Sequence, residues 1–264
     1  MSRLSRRRWT AALGGVLAIG LASSAATARP LAAIRDRGVL SLCAHANALP
    51  FASKTQEPPG FQIELARALA RELGVALQVE WVVSGIQFRV ADCDIVLDTI
   101  AVPEAQAERR LELSKPYQRS GVGLAVRPDA VSVTQFEDMV GHRVAVQPRS
   151  LAGMLLGQRG VRLASFGYEE EMIEAVLKGE VDAAAVSPAS AGYFNLRHPE
   201  SPVRFVHAYD SEPELRWNLA VGLRRADPAF REAIDRAIDR LVADGTVQKI
   251  YAHYGVEYRA PVGR

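Results

Sequence analysis

The sequence predicts an α/β protein with two lobes, and three patterns support this prediction. Short apolar runs alternate with amphipathic stretches over most of the chain, an order typical of largely parallel sheets. The same order starts again after Gly141, which indicates a second lobe. A late apolar run at residues 217–223 is expected to return to the first lobe, so the chain would cross between lobes near residues 124–130 and 211–217. We therefore assign residues 29–127 and 216–264 to lobe 1 and residues 128–215 to lobe 2.

Residues 1–28 are predicted to be a cleaved export signal that precedes the fold. They combine a basic start, an apolar run at residues 11–22 and small residues that end at Ala28. The apolar run is shorter than the roughly 20 residues that a membrane span needs. We expect a periplasmic product without a membrane span, and the general and twin-arginine export routes are both compatible with the basic start.

The charge of the chain disfavours a nucleic-acid partner. The net charge of +2 includes Arg3, Arg6, Arg7 and Arg8, and no acidic residue lies in the signal, so removing these four positive charges leaves −2. The remaining sequence contains no basic run of the kind that binds phosphate backbones. We expect a monomer.

The elements of lobe 1 follow from apolar periodicity and glycine positions. A buried strand at residues 38–42 is followed by a loop with proline and glycine, and then by an amphipathic helix that Gly74 ends. Further strands are expected at residues 75–83, 94–100 and 122–126.

Lobe 2 repeats this order of elements. A strand at residues 143–146 precedes a helix that Ser150 caps, because a serine side chain accepts a hydrogen bond from the first helical turn. A second helix ends at Gly179, and a strand follows at residues 181–186. After the return to lobe 1, an amphipathic helix at residues 227–243 ends before Gly245.

The two cysteines, Cys43 and Cys93, are predicted to form a disulfide. Their number is even, the compartment is oxidising, and neither lies in a metal-ligand spacing. Cys43 ends one predicted strand and Cys93 precedes another, so neighbouring parallel strands would bring them within bridging range. The alternative is two separate buried thiols.

No pattern of catalytic residues is present in the sequence. The five histidines show no HxxH or HExxH spacing, and there is no GxSxG segment or phosphate-binding loop. We therefore expect no catalytic residues, no metal and no cofactor, and a protein that is not an enzyme.

Several segments, taken in order, resemble family 3 of the periplasmic solute-binding proteins, the receptors of amino-acid ABC importers. They are LPF at residues 49–51, GFQIELA at 60–66, SKPY at 114–117, and residues 141–150, 179–185 and 244–255. The resemblance implies a periplasmic-binding-protein type II clamshell with two crossing strands. It also implies binding of a small polar solute between the lobes and delivery to the membrane subunits of an ABC transporter.

Residues 43–51, CAHANALPF, and the pair Cys93-Asp94 resemble one branch of this superfamily more closely. The branch contains the J-type periplasmic proteins that accompany quinoprotein methanol and alcohol dehydrogenases, which use pyrroloquinoline quinone. This resemblance implies an alternative function, in which the same fold binds a periplasmic quinoprotein dehydrogenase as an accessory protein.

Two family positions differ from those of ordinary amino-acid receptors. The receptors hold the α-ammonium with an aspartate that corresponds to Ser187, counted five residues from Asp182. A hydroxyl cannot replace the charge-assisted hydrogen bond of a carboxylate, which contributes about 1.5–3 kcal/mol. The loop that meets the ligand carboxylate reads Pro148-Arg149-Ser150, in which proline removes a donor and Arg149 can bind an anion. An ordinary α-amino acid would therefore lose its usual anchors.

The remaining candidate positions also come from the resemblance. Asp98 and Thr99 would line the cleft and favour a cationic or polyol ligand, although Asp98 can equally cap the next loop. Arg109 can bind a carboxylate through its fork of donors or lie in solvent as a surface charge. Phe51 and Tyr117 can stack on a ligand or pack in the core. The complete set of candidate ligand-binding residues is Asn47, Phe51, Asp98, Thr99, Arg109, Tyr117, Arg149, Ser150 and Ser187.

Overall fold

The structure is a computed structural model that describes residues 30–83, 85–102 and 111–263. The predicted export signal and Arg109 lie outside these residues. Within these three ranges, no helix combines the length and apolar content that crossing a bilayer requires.

Lobe 1 is built on a six-stranded mixed sheet. Its strands are β1 (Val39–His45), β4 (Ala76–Val82), β5 (Ile95–Ile100), β6 (Leu111–Leu113), β7 (Gln118–Gly121) and, after the second lobe, β13 (Arg216–Arg224). A separate small hairpin consists of β2 (Asn47–Ala48) and β3 (Ala52–Ser53). The order is β4-β1-β5-β13-β6, with β7 also paired to β13 and the hairpin β2-β3 separate. β1 runs parallel to β4 and β5, whereas β13 runs antiparallel to β5, β6 and β7.

The helices of this lobe within the described ranges are α1 (Leu31–Arg37), α2 (Phe61–Leu73), α3 (Gly85–Val90), α7 (Pro228–Ala243) and α8 (Thr246–His253). The apolar faces of α2 and α7 belong to one core cluster with residues of β1, β5 and β13. The expected end of α2 is present, because Gly74 follows it in the left-handed region. α7 begins one residue later than predicted, because the Asp227 side chain caps it by accepting the Phe230 N–H.

Lobe 2 has a five-stranded mixed sheet in the order β10-β9-β11-β8-β12. The strands are β8 (Gly123–Val126), β9 (Arg143–Val146), β10 (Arg162–Ser165), β11 (Ala183–Val186) and β12 (Arg204–Val206). The helices are α4 (Leu151–Gln158), α5 (Glu169–Leu177) and α6 (Pro188–Arg197). Every residue of β8 and β11 is buried, which agrees with their apolar sequences.

The pairing of β8 corrects the predicted boundary between the lobes. The prediction placed residues 123–126 in lobe 1, but this strand pairs antiparallel with β11 and β12 of lobe 2. The first crossing therefore lies at Val122, between β7 and β8, and not near residues 124–130. The Val122 N–H donates to the Leu215 carbonyl at 3.0 Å, so the two crossings run side by side.

The predicted disulfide between Cys43 and Cys93 is confirmed, with Cα atoms 5.4 Å apart. A buried carboxylate lies next to it and joins the same strands. Asp94 Oδ2 accepts hydrogen bonds from the backbone N–H and the hydroxyl of Ser41, both at 2.8 Å, and from Arg37 Nη2 at 2.6 Å. The bridge and this carboxylate together hold the start of β5 against β1.

The C-terminal segment runs across the two crossings. The Arg259 N–H donates to Gln118 Oε1 at 3.0 Å, and the Arg119 N–H donates to the Arg259 carbonyl at 2.8 Å. The Arg259 guanidinium reaches Asp210, on the lobe 2 side of the second crossing, at 2.8 Å. This segment therefore contacts both connections between the lobes.

Candidate ligand-binding site

A cavity of about 420 Å³ lies between residues of the two lobes. The lobe 1 wall is the segment around the β2-β3 hairpin, and the lobe 2 wall comes from the start of α5 and one side of α6. The lining residues are Asn47, Ala48, Leu49, Pro50, Gln56, Tyr168, Glu169, Glu170, Ser190, Tyr193, Phe194, Arg197 and His198. A volume of this size is typical of small-molecule sites.

One face of α6 forms most of the lobe 2 wall, because its lining residues recur three or four positions apart. They are Ser190, Tyr193, Phe194, Arg197 and His198. The helix begins at this place because Ser187 caps it and Pro188 occupies the first turn. The Arg197 guanidinium lies over the Tyr193 ring, with its central carbon 6.0 Å from the ring centroid.

The sequence predicted that Ser187 replaces the aspartate that binds the ammonium group in amino-acid receptors. The structure places another carboxylate, that of Glu169, next to Ser187. Its Oε2 accepts the Ser187 hydroxyl at 2.8 Å, and the Ser187 N–H lies 3.2 Å from both carboxylate oxygens. The Ser187 hydroxyl also accepts the Ser190 N–H at 3.1 Å, so it is occupied as the helix cap. Sequence reasoning missed Glu169, although an acidic triplet at residues 169–171 marks the start of α5.

Asp98 is half-buried and bonded within lobe 1. Its Oδ1 accepts the hydroxyls of Tyr117 at 2.8 Å and Tyr251 at 3.0 Å, and its Oδ2 accepts Gln62 Nε2 at 2.7 Å. Burial raises the pKa of Asp98 above its ordinary value, and the hydrogen bonds from Gln62 and the two tyrosines oppose that rise. The φ angle of 51° places the residue in the left-handed region.

Two further candidates, Tyr117 and Thr99, are almost completely buried, with exposures of 1% and 8%. Burial first, and the neighbouring Asp98 carboxylate second, raise the pKa of the Tyr117 phenol, so it is neutral and donates its hydrogen bond to Asp98. Phe51 packs on Phe61 with ring centroids 5.0 Å apart. Asn47 lines the cavity between the lobes, whereas Phe51, Thr99 and Tyr117 do not.

We expect the substitution Asp98→Asn to keep or raise the stability of the protein at neutral pH. An asparagine oxygen can accept both tyrosine hydroxyls, its amide can donate to a flipped Gln62, and asparagine tolerates a positive φ. The folded-state pKa of Asp98 is raised, so the wild-type protein loses stability as the pH rises from 3.8 through that pKa. The stability difference between variant and wild type should therefore grow in favour of asparagine over the same range, as urea unfolding at several pH values would measure. A fall in the stability of the variant at neutral pH would contradict this explanation. A loss of ligand binding would show that Asp98 contacts the ligand.

Arg149 and Ser150 line a different cavity, which belongs to lobe 2 alone and has a volume of about 500 Å³. Ser150 caps α4 by accepting the Gly153 N–H at 3.1 Å, as the sequence predicted. Arg149 is exposed and has a φ of 60°. Neither of these two residues lines the cavity that contains Glu169, and Ser187 reaches that cavity only through its hydrogen bonds to Glu169 and Ser190. Arg109 lies outside the described residues.

The two lobes touch directly beside the cavity. A Cβ atom built on Gly192 of α6 would lie 2.1 Å from the Gly255 carbonyl oxygen, and one built on Gly255 would lie 2.4 Å from that of Gly192. The rings of Tyr193 and Tyr254 are 6.4 Å apart at the same place. A close backbone approach between α6 and the end of lobe 1 therefore brings the cavity walls together.

Two α/β lobes, joined by adjacent crossings and separated by a polar and aromatic cavity, define a bilobal ligand-binding protein. The chain belongs to the bacterial extracellular solute-binding proteins, family 3, whose model matches residues 40–257. This finding confirms the family expected from the sequence.

Known relatives of the chain include both binding proteins and an enzyme. It is 25% identical to the amino-acid-binding protein AabA of Dichelobacter nodosus, covering 73% of this chain and 78% of that protein. It is 23% identical to the L-cystine-binding protein TcyJ of Escherichia coli K12, covering 90% and 92%. It is also 26% identical to the membrane-bound lytic murein transglycosylase F of Desulfosudis oleivorans over 96% of this chain, and spans 57% of that enzyme's length.

Solved structures confirm the two-lobed fold. The Ancestral Cationic Amino Acid Solute Binding Protein superimposes with a TM-score of 0.70 at 27% identity, covering 85% of this chain and 99% of that chain. The unliganded, open L-cystine solute receptor of Neisseria gonorrhoeae has a TM-score of 0.69 at 19% identity, covering 86% and 98%.

Proposed function

We propose that this protein is the periplasmic receptor of an ABC-type importer and binds a small polar solute between its lobes. The observation that supports this most directly is the cavity whose walls come from both lobes, with the Glu169 carboxylate on one wall. A ligand that contacts both walls favours the arrangement in which the lobes are together, and this arrangement is what an importer can recognise. The proposal includes removal of residues 1–28, a monomeric protein and no catalytic step.

The ligand that we propose is not an ordinary α-amino acid held by the usual family anchors. Ser187 uses its hydroxyl as a helix cap, and Pro148 has no N–H to offer a carboxylate. Glu169 replaces the missing negative charge from a different element, α5, and so moves the expected position of a cationic group. The relatives named above as binding cystine or cationic amino acids support a ligand with a positive charge.

A thermal-shift screen with the protein and its Glu169→Gln variant tests this proposal. A solute present at about 100 times its dissociation constant raises the free energy of unfolding by about 2.7 kcal/mol. The glutamine oxygen can still accept the Ser187 N–H, so the fold is kept while the charge is lost. We expect binding of the identified solute to weaken about tenfold in this variant, as for a lost charge-assisted hydrogen bond.

Glu214 is exposed and lies outside the cavity, so Glu214→Gln is the matched control and should bind like wild type. The absence of a shift with amino acids, short peptides, organic acids, polyamines and alcohol-derived metabolites would contradict a receptor function.

Association with a periplasmic quinoprotein dehydrogenase is the second hypothesis. It is supported by the sequence of residues 43–51 and by the disulfide that joins Cys43 in this segment to Cys93. In this case the cleft would receive a polypeptide element of the dehydrogenase. A pull-down with the tagged protein from cells that express the dehydrogenase should capture it, and its absence from the captured proteins would leave only the receptor function.

A further inference from the structure

We propose that the cavity between the lobes binds an extended zwitterion, of the length of a tripeptide or tetrapeptide. Its ammonium group lies at Glu169 and its carboxylate lies at Arg197. This inference rests on the proposed receptor function and names the class of ligand for the same cavity.

Charges of opposite sign lie at the two ends of the cavity. The Glu169 carboxylate contacts Ser187, the cap at the amino end of α6, whereas the Arg197 guanidinium is at the carboxyl end of this helix. Seven residue steps separate Ser190 from Arg197 on α6, and at about 1.5 Å per residue they span about 10.5 Å. A ligand that neutralises both ends must therefore carry separated charges.

A compact α-amino acid does not meet this requirement. Its ammonium nitrogen and carboxylate carbon are separated by only two bonds of about 1.5 Å each. An extended peptide advances about 3.3–3.6 Å per residue, so three or four residues cover the same length as the α6 face. The distance between the charged ends therefore selects the longer ligand.

The middle of the cavity has the groups that a peptide backbone and its side chains need. Tyr193 and Phe194 of lobe 2 and Leu49 and Pro50 of lobe 1 all line the cavity, so apolar groups of both lobes are available to a ligand side chain. The amide of Asn47, in the same lobe 1 wall, can donate to and accept from a peptide group. The cation–π contact with Tyr193 described above holds the Arg197 guanidinium along this wall.

Titration calorimetry with trialanine, tetraalanine and alanine tests the length requirement. We expect either peptide to bind at least about tenfold more tightly than alanine, because only the peptides form charge-assisted hydrogen bonds at both ends. N-acetyl-trialanine and trialanine amide each lack one terminal charge and should bind about tenfold more weakly than trialanine.

Two variants assign each terminus to its residue by a double-mutant cycle. Glu169→Gln should weaken trialanine but leave N-acetyl-trialanine unchanged, whereas Arg197→Gln should weaken trialanine but leave trialanine amide unchanged. Arg162→Gln is the matched control, because this exposed arginine on β10 lies outside the cavity, and it should bind like wild type.

Three results would overturn the inference: no binding of the peptides, alanine binding as tightly as trialanine, or blocked termini without effect. The receptor function itself would still stand if another solute of the thermal-shift screen bound, so the two proposals fail separately.

Discussion

Replacing Gly192 by alanine will weaken ligand binding by about 5- to 150-fold, the range that corresponds to a cost of about 1–3 kcal/mol for an overpacked contact. The new Cβ would lie 2.1 Å from the Gly255 carbonyl oxygen, and backbone atoms cannot yield as the tip of a side chain can. The helix α6 must therefore move away from lobe 1 and open the cavity that it lines. A ligand in the opened cavity contacts one wall only. Titration calorimetry of the variant with the solute found in the screen measures the loss.

The direction of the effect of Gly192→Ala distinguishes a clash between the lobes from a change in helix propensity. Alanine in a helix interior is about 1 kcal/mol more favourable than glycine, so propensity alone would stabilise the variant. Gly157→Ala in α4 is the matched control, because its Cβ would meet only a methyl group of Leu163, at 3.2 Å. We expect the control to bind like wild type. Equal affinity of the Gly192 variant would show that the lobes do not need this contact to hold the ligand.

Removal of the disulfide by the double substitution Cys43→Ala and Cys93→Ala will lower the free energy of unfolding by about 4 kcal/mol, from the entropy of closing a loop of this length. The bridge closes a loop across 50 residues that includes β4 and the helix α2. It lies in lobe 1 beside the buried Asp94 network, so lobe 1 should unfold first in the variant. Urea unfolding of both proteins measures the difference.

Tryptophan fluorescence follows lobe 1 selectively in that experiment. Trp81 on β4 and Trp217 on β13 both lie in the sheet of lobe 1, and the third tryptophan, Trp9, belongs to the predicted export signal, so the experiment uses the protein without residues 1–28. Circular dichroism reports both lobes, so the midpoint by fluorescence should fall more than the midpoint by circular dichroism. The Glu214→Gln variant controls for the handling of a mutant protein. Unchanged midpoints by both probes would mean that the bridge contributes nothing to stability.

Local features of this protein were readable from the sequence because they depend on neighbouring residues. The cap at Ser150 requires one side chain, and the helix end at Gly74 requires one left-handed residue. The disulfide was predictable because Cys43 and Cys93 are the only cysteines in the chain. The family motifs supplied the two-lobed architecture, which periodicity alone indicates but does not specify.

Features that depend on contacts between residues far apart in the chain could not be predicted from the sequence. The apolar run at residues 123–126 has the same pattern whether it pairs in one sheet or the other, so its lobe was assigned wrongly. The contact between Glu169 and Ser187 joins residues 18 apart, and spacing gives no sign of it. The hydrogen bond from the Tyr251 hydroxyl to Asp98 joins residues 153 apart, and spacing gives no sign of it either.

The order of the strands along the chain affects how the two sheets form during synthesis. All five strands of the second sheet come from residues 123–206, so this half can be completed as one uninterrupted piece. The first sheet lacks its β13 until residues 216–224 appear, and that strand pairs with three others. The sheet of lobe 1 therefore stays incomplete, with apolar surface exposed, until most of the chain has been made. Such a state is prone to aggregation and suited to chaperone binding.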